Sequence, residues 1–366
     1  MIPPSRDAGD RDSVREHFRW FAERDAPGAS PLYAGLAGIV ARDIDLASFL
    51  DAAPATQRRP TLLLAAVHWL LLRGVDHDLR AFYPNLVDDP DGGDPSSALH
   101  DFVHRYDRDL RALAATRSTQ TNEASRCSGL ALAFARAHEL SGRPLALVEL
   151  GASAGFLLNA DRYFYDFGPA GTLGDAASPV HLTPELRGPL MPPVPRAMPS
   201  IVSRTGIDLH PVDVRDEDAI GWLRACIWPE QRARFETFDA ALSVARVFPP
   251  TLVQGDAIEF LPEIVAQAPR DAAVCIFHSA FTAYLSQRSF ERMPGLVQEV
   301  SRDRRVLWIA SEGLRSSRSL FDLAVPDAPA AGALTLADVR GDSRTARLLA
   351  LAGYHGQWLR WTDRNP

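Results

Sequence analysis

The fold follows from one stretch, Leu145-Ala-Leu-Val-Glu149-Leu-Gly151-Ala-Ser153-Ala-Gly155. Its short apolar run, which ends at glycines, predicts a buried parallel strand. The small residues allow a tight turn against which a ligand can lie, and the apolar residues from Phe156 predict a helix whose N-terminal amides face that ligand. Two chemistries use this arrangement. One is a nucleotide-type cofactor loop with an acid at the strand end, and the other is a G-x-S-x-G nucleophile elbow with Ser153 as the nucleophile.

Composition narrows the class of protein. The 366 residues allow one large or two modest domains with ample core. Charged residues make up 23% of the chain and hydrophobic residues 46%, which is typical of a soluble globular protein. The net charge is −7, and all 39 basic residues are arginine. An acidic chain argues against a nucleic-acid partner, so we expect a small-molecule substrate and no nucleic acid.

The cysteines and the apolar segments predict the compartment. Cys127, Cys226 and Cys275 are widely spaced and odd in number, a pattern that indicates neither a metal site nor a disulfide framework. The first residues contain no apolar signal region. The longest apolar run, residues 62–72, is too short to span a bilayer. We therefore expect a cytoplasmic protein that binds no membrane.

Hydrophobic periodicity divides the chain into two parts. Residues 1–142 predict an N-terminal all-helical domain, a lid or substrate domain, in which Ser13-Val-Arg-Glu16 forms a capping box. Residues 143–366 alternate strands with helices, which predicts a mostly parallel sheet covered by helices. The later strands are predicted at residues 201–208, 251–255, 272–277, 305–310, 333–339, 346–350 and 357–361. Residues 166–200 form an insertion rich in proline and glycine, with one short strand over residues 180–186.

Acids and small residues recur at the ends of the predicted strands. The first strand ends in Glu149-Leu-Gly-Ala-Ser-Ala-Gly155, the second in Gly206-Ile-Asp208-Leu-His-Pro211 and the third in Gln254-Gly-Asp256-Ala257. In this order the three motifs resemble those of class I S-adenosylmethionine-dependent methyltransferases. Ligands of open α/β sheets lie outside the carboxyl ends of the strands, and a carboxylate suits the vicinal hydroxyls of a ribose.

The resemblance implies a fold and a cofactor. The fold is a seven-stranded, mostly parallel Rossmann-like sheet with an antiparallel C-terminal hairpin. The cofactor is S-adenosylmethionine, with S-adenosylhomocysteine as the product. The implied cofactor-binding residues are Glu149, Gly151, Ala152, Ser153, Gly155, Asp208, Leu209, Gly255, Asp256, Ala257 and His278. This sequence departs from the pattern through the insertion and through Ser153, which stands where glycine is common and which the turn tolerates if its φ is negative.

A narrower resemblance covers nearly the whole chain. The motifs that carry it are Arg117-Ser-Thr-Gln-Thr-Asn-Glu123, Gly151–Gly155 with Asp161-Arg-Tyr163, Trp228-Pro-Glu-Gln231 and Phe277-His-Ser279. Together they resemble a bacterial family known only as domain of unknown function 2332. That resemblance implies a shared fold and assigns no substrate.

The serine hydrolase remains a third hypothesis. An elbow at Ser153 needs an acid and a histidine later in the chain, and Asp256 with His278, or Asp338 with His355, have that order. Three observations argue against it. The residues upstream are predicted to be helical, no His-Gly oxyanion motif precedes Ser153, and an acid directly before the turn opposes a developing oxyanion.

Two regions supply candidates for chemistry beyond the cofactor. His278, at the end of the fourth strand, is the first candidate for a general base, and Tyr284 lies nearby. The second region offers Arg117, Gln120, Thr121, Asn122, Glu123 and Arg126 as substrate ligands, with Glu123 as a second possible base; Tyr163 is a further substrate candidate. Structural alternatives stay open: Asn122 as a helix N-cap with Glu123 beside it, His278 as a satisfied core histidine, and Tyr284 as a packing residue.

The sequence therefore predicts S-adenosylmethionine-dependent methylation of an unidentified small molecule, without a metal. The alternative is a protein of the same fold that binds or regulates without methyl transfer, or that uses the sulfonium differently. The oligomeric state and the role of the Trp228-Pro229 segment stay open.

Overall fold

The computed structural model describes residues 11–120 and 122–364, except for the side chain of Thr56. Its α-helices are α1 (Arg11–Trp20), α2 (Pro31–Arg42), α3 (Pro60–Leu72), α4 (Ser96–Arg105), α5 (Asp107–Thr116), α6 (Cys127–Ser141), α7 (Glu217–Ala225), α8 (Arg232–Val247), α9 (Ala257–Gln267), α10 (Gln287–Val300) and α11 (Leu314–Phe321). Segments of 3₁₀ helix cover Ile44–Ala52, Ala55–Gln57, Asp78–Phe82, Ala124–Arg126, Phe156–Arg162, Gly168–Ala170 and Thr282–Tyr284, and a π-helical turn covers Phe21–Asp25.

The strands begin only after residue 144 in the described chain. They are β1 (Leu145–Leu150), β2 (Phe164–Asp166), β3 (Thr172–Leu173), β4 (His181–Leu182), β5 (Glu185–Leu186), β6 (Ile201–Asp208), β7 (Thr251–Gln254), β8 (Ala273–Ser279), β9 (Val306–Gly313), β10 (Ala331–Arg340), β11 (Ser343–Gly353) and β12 (Trp358–Trp361). The predicted mixed α/β class is confirmed.

The chain folds into two compact units, the first formed by Met1–Thr121 with Asp216–Glu236 and the second by Asn122–Arg215 with Thr237–Pro366. This division differs from the predicted boundary at residue 142, because α6 belongs to the second unit. The physical reason is that α6 is buried along most of its length and packs on the sheet, where the ring of Phe134 lies 5.0 Å from that of Phe277.

In the first unit, α3 is the central helix. Ten of its thirteen residues are buried, so it has no polar face to present to solvent. Trp222 of α7 joins the same apolar cluster although it comes late in the chain. Glu230 accepts hydrogen bonds from Ser30 Oγ (2.5 Å) and Leu32 N (2.8 Å) at the start of α2. The Trp228-Pro229-Glu230 segment thus holds a helix that lies about two hundred residues earlier.

The second unit contains a nine-stranded sheet in the order β5-β12-β11-β10-β9-β8-β1-β6-β7. Five adjacent strands of this sheet, in the order β9-β8-β1-β6-β7, run parallel to one another. On the other side of β9, the strands β10, β11 and β12 pair in antiparallel fashion. From β1 the chain continues to β6 and β7 on one side and then returns to β8 on the other. The order therefore reverses between β1 and β8, which is where open α/β sheets bind ligands.

Several features of the predicted sheet are corrected. It has nine strands where the resemblance implied seven: the predicted closing strands form a three-stranded antiparallel meander, β10, β11 and β12, and β5 pairs with β12. Predicted strand 180–186 is two short strands, β4 and β5, in different sheets; β4 joins the small sheet β3-β2-β4. The predicted helix after the glycine turn is a seven-residue 3₁₀ segment, Phe156–Arg162, with non-helical backbone at Asn159. It is too short to supply the expected helix N-terminus.

Alternation along each strand decides which side chain faces which layer. Ala146, Val148 and Leu150 of β1 lie in the apolar cluster formed with α9 and α10. Glu149 therefore faces the opposite layer, where α6 packs. Among the described residues, none of the helices has the length and apolar character needed to cross a membrane.

Candidate functional site

The glycine turn after β1 has a left-handed backbone at three positions. φ is +78° at Gly151, +50° at Ser153 and +72° at Gly155. A negative φ, the condition under which the turn would tolerate Ser153 without strain, is not met. A left-handed conformation costs an L-residue roughly 1–2 kcal/mol, and such strain persists only where neighbouring groups enforce it.

Two side chains enforce this turn. Asn122 Nδ2 donates to Ser153 Oγ (2.6 Å), and Asn122 Oδ1 accepts from Ala154 N (3.2 Å). Asp208 Oδ2 accepts from Ser153 N (2.8 Å). Asn122 is thus not an N-cap, since the following 3₁₀ turn is capped by Glu123, whose carboxylate accepts from Ser125 N. The segment around Asn122 and the glycine turn do come together.

The carboxylate of Asp208 accepts two hydrogen bonds from backbone amides. Besides Ser153 N, it accepts from His210 N through Oδ1 (2.8 Å). Each carboxylate oxygen has a second lone pair, so Asp208 can still accept from a ligand. Leu209, which follows it, is exposed.

Glu149 is the most unusual group of the site. Its side chain is 2% exposed, and Oε2 is buried without a hydrogen-bond partner. Burial raises the pKa of Glu149 well above its usual value, and the charge of Asp208 raises it further, while Arg126 opposes the shift. Arg126 is itself buried and donates from Nε to Tyr354 O (2.9 Å). A buried acceptor without a donor is costly and is the kind of group that a ligand or a proton satisfies.

The end of β7 carries the third acid. Asp256 Oδ1 accepts from Ile258 N (2.8 Å) and so forms the N-cap of α9, of which Ala257 is the first residue. Gly255 N donates to Asp208 O (2.9 Å), which ties this turn to the end of β6. The acids Glu149, Asp208 and Asp256 therefore lie at the ends of three neighbouring strands.

The glycines of the site are packed by side chains of the chain itself. A Cβ on Gly151 would lie 2.7 Å from Cδ2 of Phe281, and one on Gly155 would lie 2.5 Å from Cγ of Pro250. A Cβ on Gly255 would lie 2.5 Å from the ring of Phe260. Each glycine is thus required by close packing. For Gly151, a ligand that touches the backbone must first displace Phe281.

His278, the predicted base, lies on the other face of the sheet. It is fully buried among Trp308 and Phe281. The indole N–H of Trp308 can only donate, and it lies 3.1 Å from His278 Nε2, so Nε2 accepts. Nδ1 then carries the proton and donates to Glu312 Oε1 (2.7 Å). Both ring nitrogens are therefore engaged in hydrogen bonds, as in a satisfied core histidine. Neither has a free lone pair that could accept a proton from a substrate.

Glu312, at the end of β9, is a site residue that the sequence analysis missed. It is 3% exposed and accepts from His278 Nδ1, Phe281 N and Thr282 Oγ1 at 2.7–2.8 Å. Burial alone would raise the pKa of this carboxyl, but the hydrogen bonds from His278, Thr282 and Phe281 hold it below its usual value. The signal was present as an acid followed by Gly313, but the predicted strand ended at residue 310.

The remaining predicted residues are dispersed. Arg117 pairs with Asp218 and lies over the Trp222 ring, and Gln120 interacts with Cys226; all are in the first unit. Thr121 lies outside the described residues. In the second unit, buried Tyr163 donates from its hydroxyl to Phe156 O (2.7 Å), Tyr284 is 57% exposed, and Glu123 is buried beside Asn122.

Two further chemistries find no support in this geometry. Ser153 Oγ accepts from the Asn122 amide, and an amide N–H cannot serve as the base that a nucleophile needs. The acid candidates for a triad are used elsewhere, Asp256 as a helix cap and Asp338 in an ion pair with Arg305. Among the described residues, no cluster of three His, Cys, Asp or Glu side chains could hold a metal ion.

Comparison with known proteins identifies a family. The profile described as "Uncharacterized protein conserved in bacteria (DUF2332)" matches residues 15–361. No curated protein matches the chain.

Proposed function

The chain belongs to the uncharacterized bacterial family DUF2332, and for it we propose S-adenosylmethionine-dependent methylation of a small molecule. The observation that carries the proposal is the row of acids at the ends of β1, β6 and β7, which begins at the point where the strand order reverses. Glu149 and Asp208 lie at the ends of β1 and β6, and Asp256 lies just past the end of the next parallel strand, β7. The glycine turn after β1 has a left-handed backbone at three positions. A nucleoside cofactor offers hydroxyl and amino donors to such a row.

The residues present fit that cofactor on one condition. Glu149 Oε2 is a buried acceptor that lacks a donor, and Asp208 retains lone pairs beyond its two backbone hydrogen bonds. The condition is that Phe281 leaves the face of Gly151. When bound, the cofactor supplies a methyl group on a sulfonium, and the chain orients it and excludes water.

The position of His278 narrows the substrate class. Because both of its nitrogens are engaged, His278 removes no proton from an acceptor. We therefore propose an acceptor that is already nucleophilic, such as a thiolate or a neutral amine. For such an acceptor, alignment alone can supply about 7–11 kcal/mol of the barrier reduction.

The packing of Phe281 and the commitment of His278 also favour a second candidate. A protein of this fold could bind the cofactor as a signal and transfer nothing. The two candidates differ in turnover, because only the methyltransferase converts S-adenosylmethionine to S-adenosylhomocysteine in the presence of an acceptor.

Calorimetry with a matched pair of variants tests the cofactor. Asp256 and Asp216 are both aspartate N-caps, of α9 and α7, and asparagine caps as well as aspartate. We expect S-adenosylhomocysteine to bind the wild type, D256N to weaken binding about 10-fold through loss of a charge-assisted hydrogen bond, and D216N to leave it unchanged. Absence of binding to a folded wild type would refute the proposal. Binding without turnover over a panel of thiols and amines would favour the second candidate.

A further inference from the structure

The loop that follows β8 occupies the place where a ligand would meet the glycine turn. Phe281 stacks against Gly151 so closely that a methyl group on that glycine would lie 2.7 Å from its ring. Ala280, just before it, has φ +54°, a conformation that an alanine adopts only under constraint. The strained position and the covering ring are adjacent in the chain.

This segment, residues 279–285, continues from β8, where Ala280 N donates to Ser311 O (3.1 Å). The hydrogen bonds beyond Ala280 run within the segment, to the Glu312 carboxylate and to Ser316 Oγ. Tyr284 N donates to Phe281 O (3.0 Å) and Leu285 N to Thr282 O (3.3 Å), so the loop forms one turn. Its outer end is exposed at Tyr284. At its inner end, Ser279 Oγ is buried and has no hydrogen-bond partner.

Glu312 is the group that holds the turn in place. Its Oε1 accepts from Phe281 N (2.8 Å) and Thr282 N (3.3 Å), and its Oε2 accepts from Thr282 Oγ1 (2.7 Å). His278 donates to the same Oε1 and fixes the carboxylate from below. Hydrogen bonds to an ionised acceptor are about twice as strong as neutral ones, so the charge on Glu312 favours the closed loop.

We propose that residues 279–285 form a gate over the glycine turn, which Glu312 latches shut and in which Phe281 is the residue that an incoming ligand displaces. The identity of that ligand as a nucleoside sulfonium rests on the proposed function; the gate itself rests on the contacts of Phe281 and Glu312. When only a small fraction of a protein is in the conformation that binds, the apparent affinity is reduced in proportion to that fraction. The gate thus reduces affinity and covers the glycine turn while no ligand is bound.

A substitution at Phe281 separates the gate from general packing. Phe281 and Phe290 are both partly buried rings on the same apolar cluster, but Phe290 lies on α10. In F281A no ring has to leave Gly151, so we expect S-adenosylhomocysteine to bind about 10-fold more tightly than to the wild type. F290A serves as the control and should bind as the wild type does. Equal or weaker binding by F281A, with intact wild-type binding, would overturn the gate and leave the proposed function standing.

A second measurement needs no ligand. In E312Q the amide oxygen must face the three donors at Oε1. The amide nitrogen then donates to Thr282 Oγ1, whose hydroxyl can donate to Ser316 Oγ (3.1 Å) instead. The geometry is retained and the charge is lost. We expect hydrogen exchange of residues 279–285 to accelerate about 10-fold, with no change in β1.

The two measurements fail separately. If no variant binds S-adenosylhomocysteine, the proposed function is wrong, and the exchange experiment alone decides the gate. Unchanged exchange of residues 279–285 in E312Q would overturn the latch, whatever binds.

Discussion

Glu149 combines burial, a like charge and an unsatisfied oxygen in one side chain. Burial and the neighbouring Asp208 both raise its pKa, and Arg126 only partly offsets them. A carboxyl whose pKa is higher in the folded than in the unfolded state takes up a proton on folding. Its contribution to stability is therefore present below the unfolded pKa, about 4.3, and is lost as the pH rises through the folded value.

Replacing Glu149 by glutamine tests this sign. E149Q removes the titrating group. Its free energy of unfolding should therefore match that of the wild type near pH 4 and exceed it by about 1 kcal/mol or more at pH 7 to 8. Thermal unfolding between pH 4 and 9 measures the difference. E259Q alters an exposed glutamate of α9 and should follow the wild type throughout. A wild type that stays more stable than E149Q at pH 8 would contradict the assignment.

The strand ends of the site could be predicted at the scale of single motifs. An apolar run followed by glycine and an acid marks the carboxyl end of a buried strand, and Glu149, Asp208 and Asp256 were found in this way. The prediction for His278 was wrong because successive side chains of a strand point to opposite faces of the sheet. Phe277, and not His278, lies on the same face as Glu149. Glu312 was missed because its strand runs to Gly313, three residues past the predicted end.

At the scale of elements, hydrophobic periodicity and turn-forming residues located most strands but not all helices. β6 begins and ends where the sequence predicts it, at Ile201 and Asp208, although half of its residues are polar and only two are fully buried. The segment after Gly155 is buried from Phe156 to Ala160, including the polar Asn159. Periodicity therefore carries no information there about helix type, and tertiary packing imposes the 3₁₀ form.

Helix α2 depends on a carboxylate that no local pattern reveals. Ser30 is its N-cap and donates from its hydroxyl to Glu230, which also accepts from Leu32 N. In E230A these two donors lose a charged acceptor, and we expect a loss of about 2 kcal/mol in unfolding free energy. Chemical denaturation measures it. E236A removes an exposed glutamate nearby and should change stability by less than about 0.5 kcal/mol. Equal stabilities of the two variants would exclude a role for Glu230 in holding α2.

At the scale of the whole molecule, the chain passes between its two units three times, after residues 121, 215 and 236. A boundary read along the sequence assumes that each domain is one continuous segment. The excursion Asp216–Glu236 breaks that assumption, because its apolar residues, Trp222 among them, complete the core of the helical unit. Neither composition nor periodicity distinguishes such a segment from the helices that flank it.

Removal of residues 1–121 should therefore leave the rest of the chain with an unmatched apolar segment. Trp222 and Ile220 of α7 are buried in the intact protein, and their partners in the first unit would be gone. We expect the fragment 122–366 to bind the dye ANS and to associate, since large exposed apolar patches promote association. Replacing residues 216–236 of that fragment by a glycine-serine segment of equal length should abolish dye binding and retain the near-ultraviolet circular dichroism of the sheet unit. A fragment 122–366 that stays monomeric and binds no dye would show that the excursion needs no partner from the first unit.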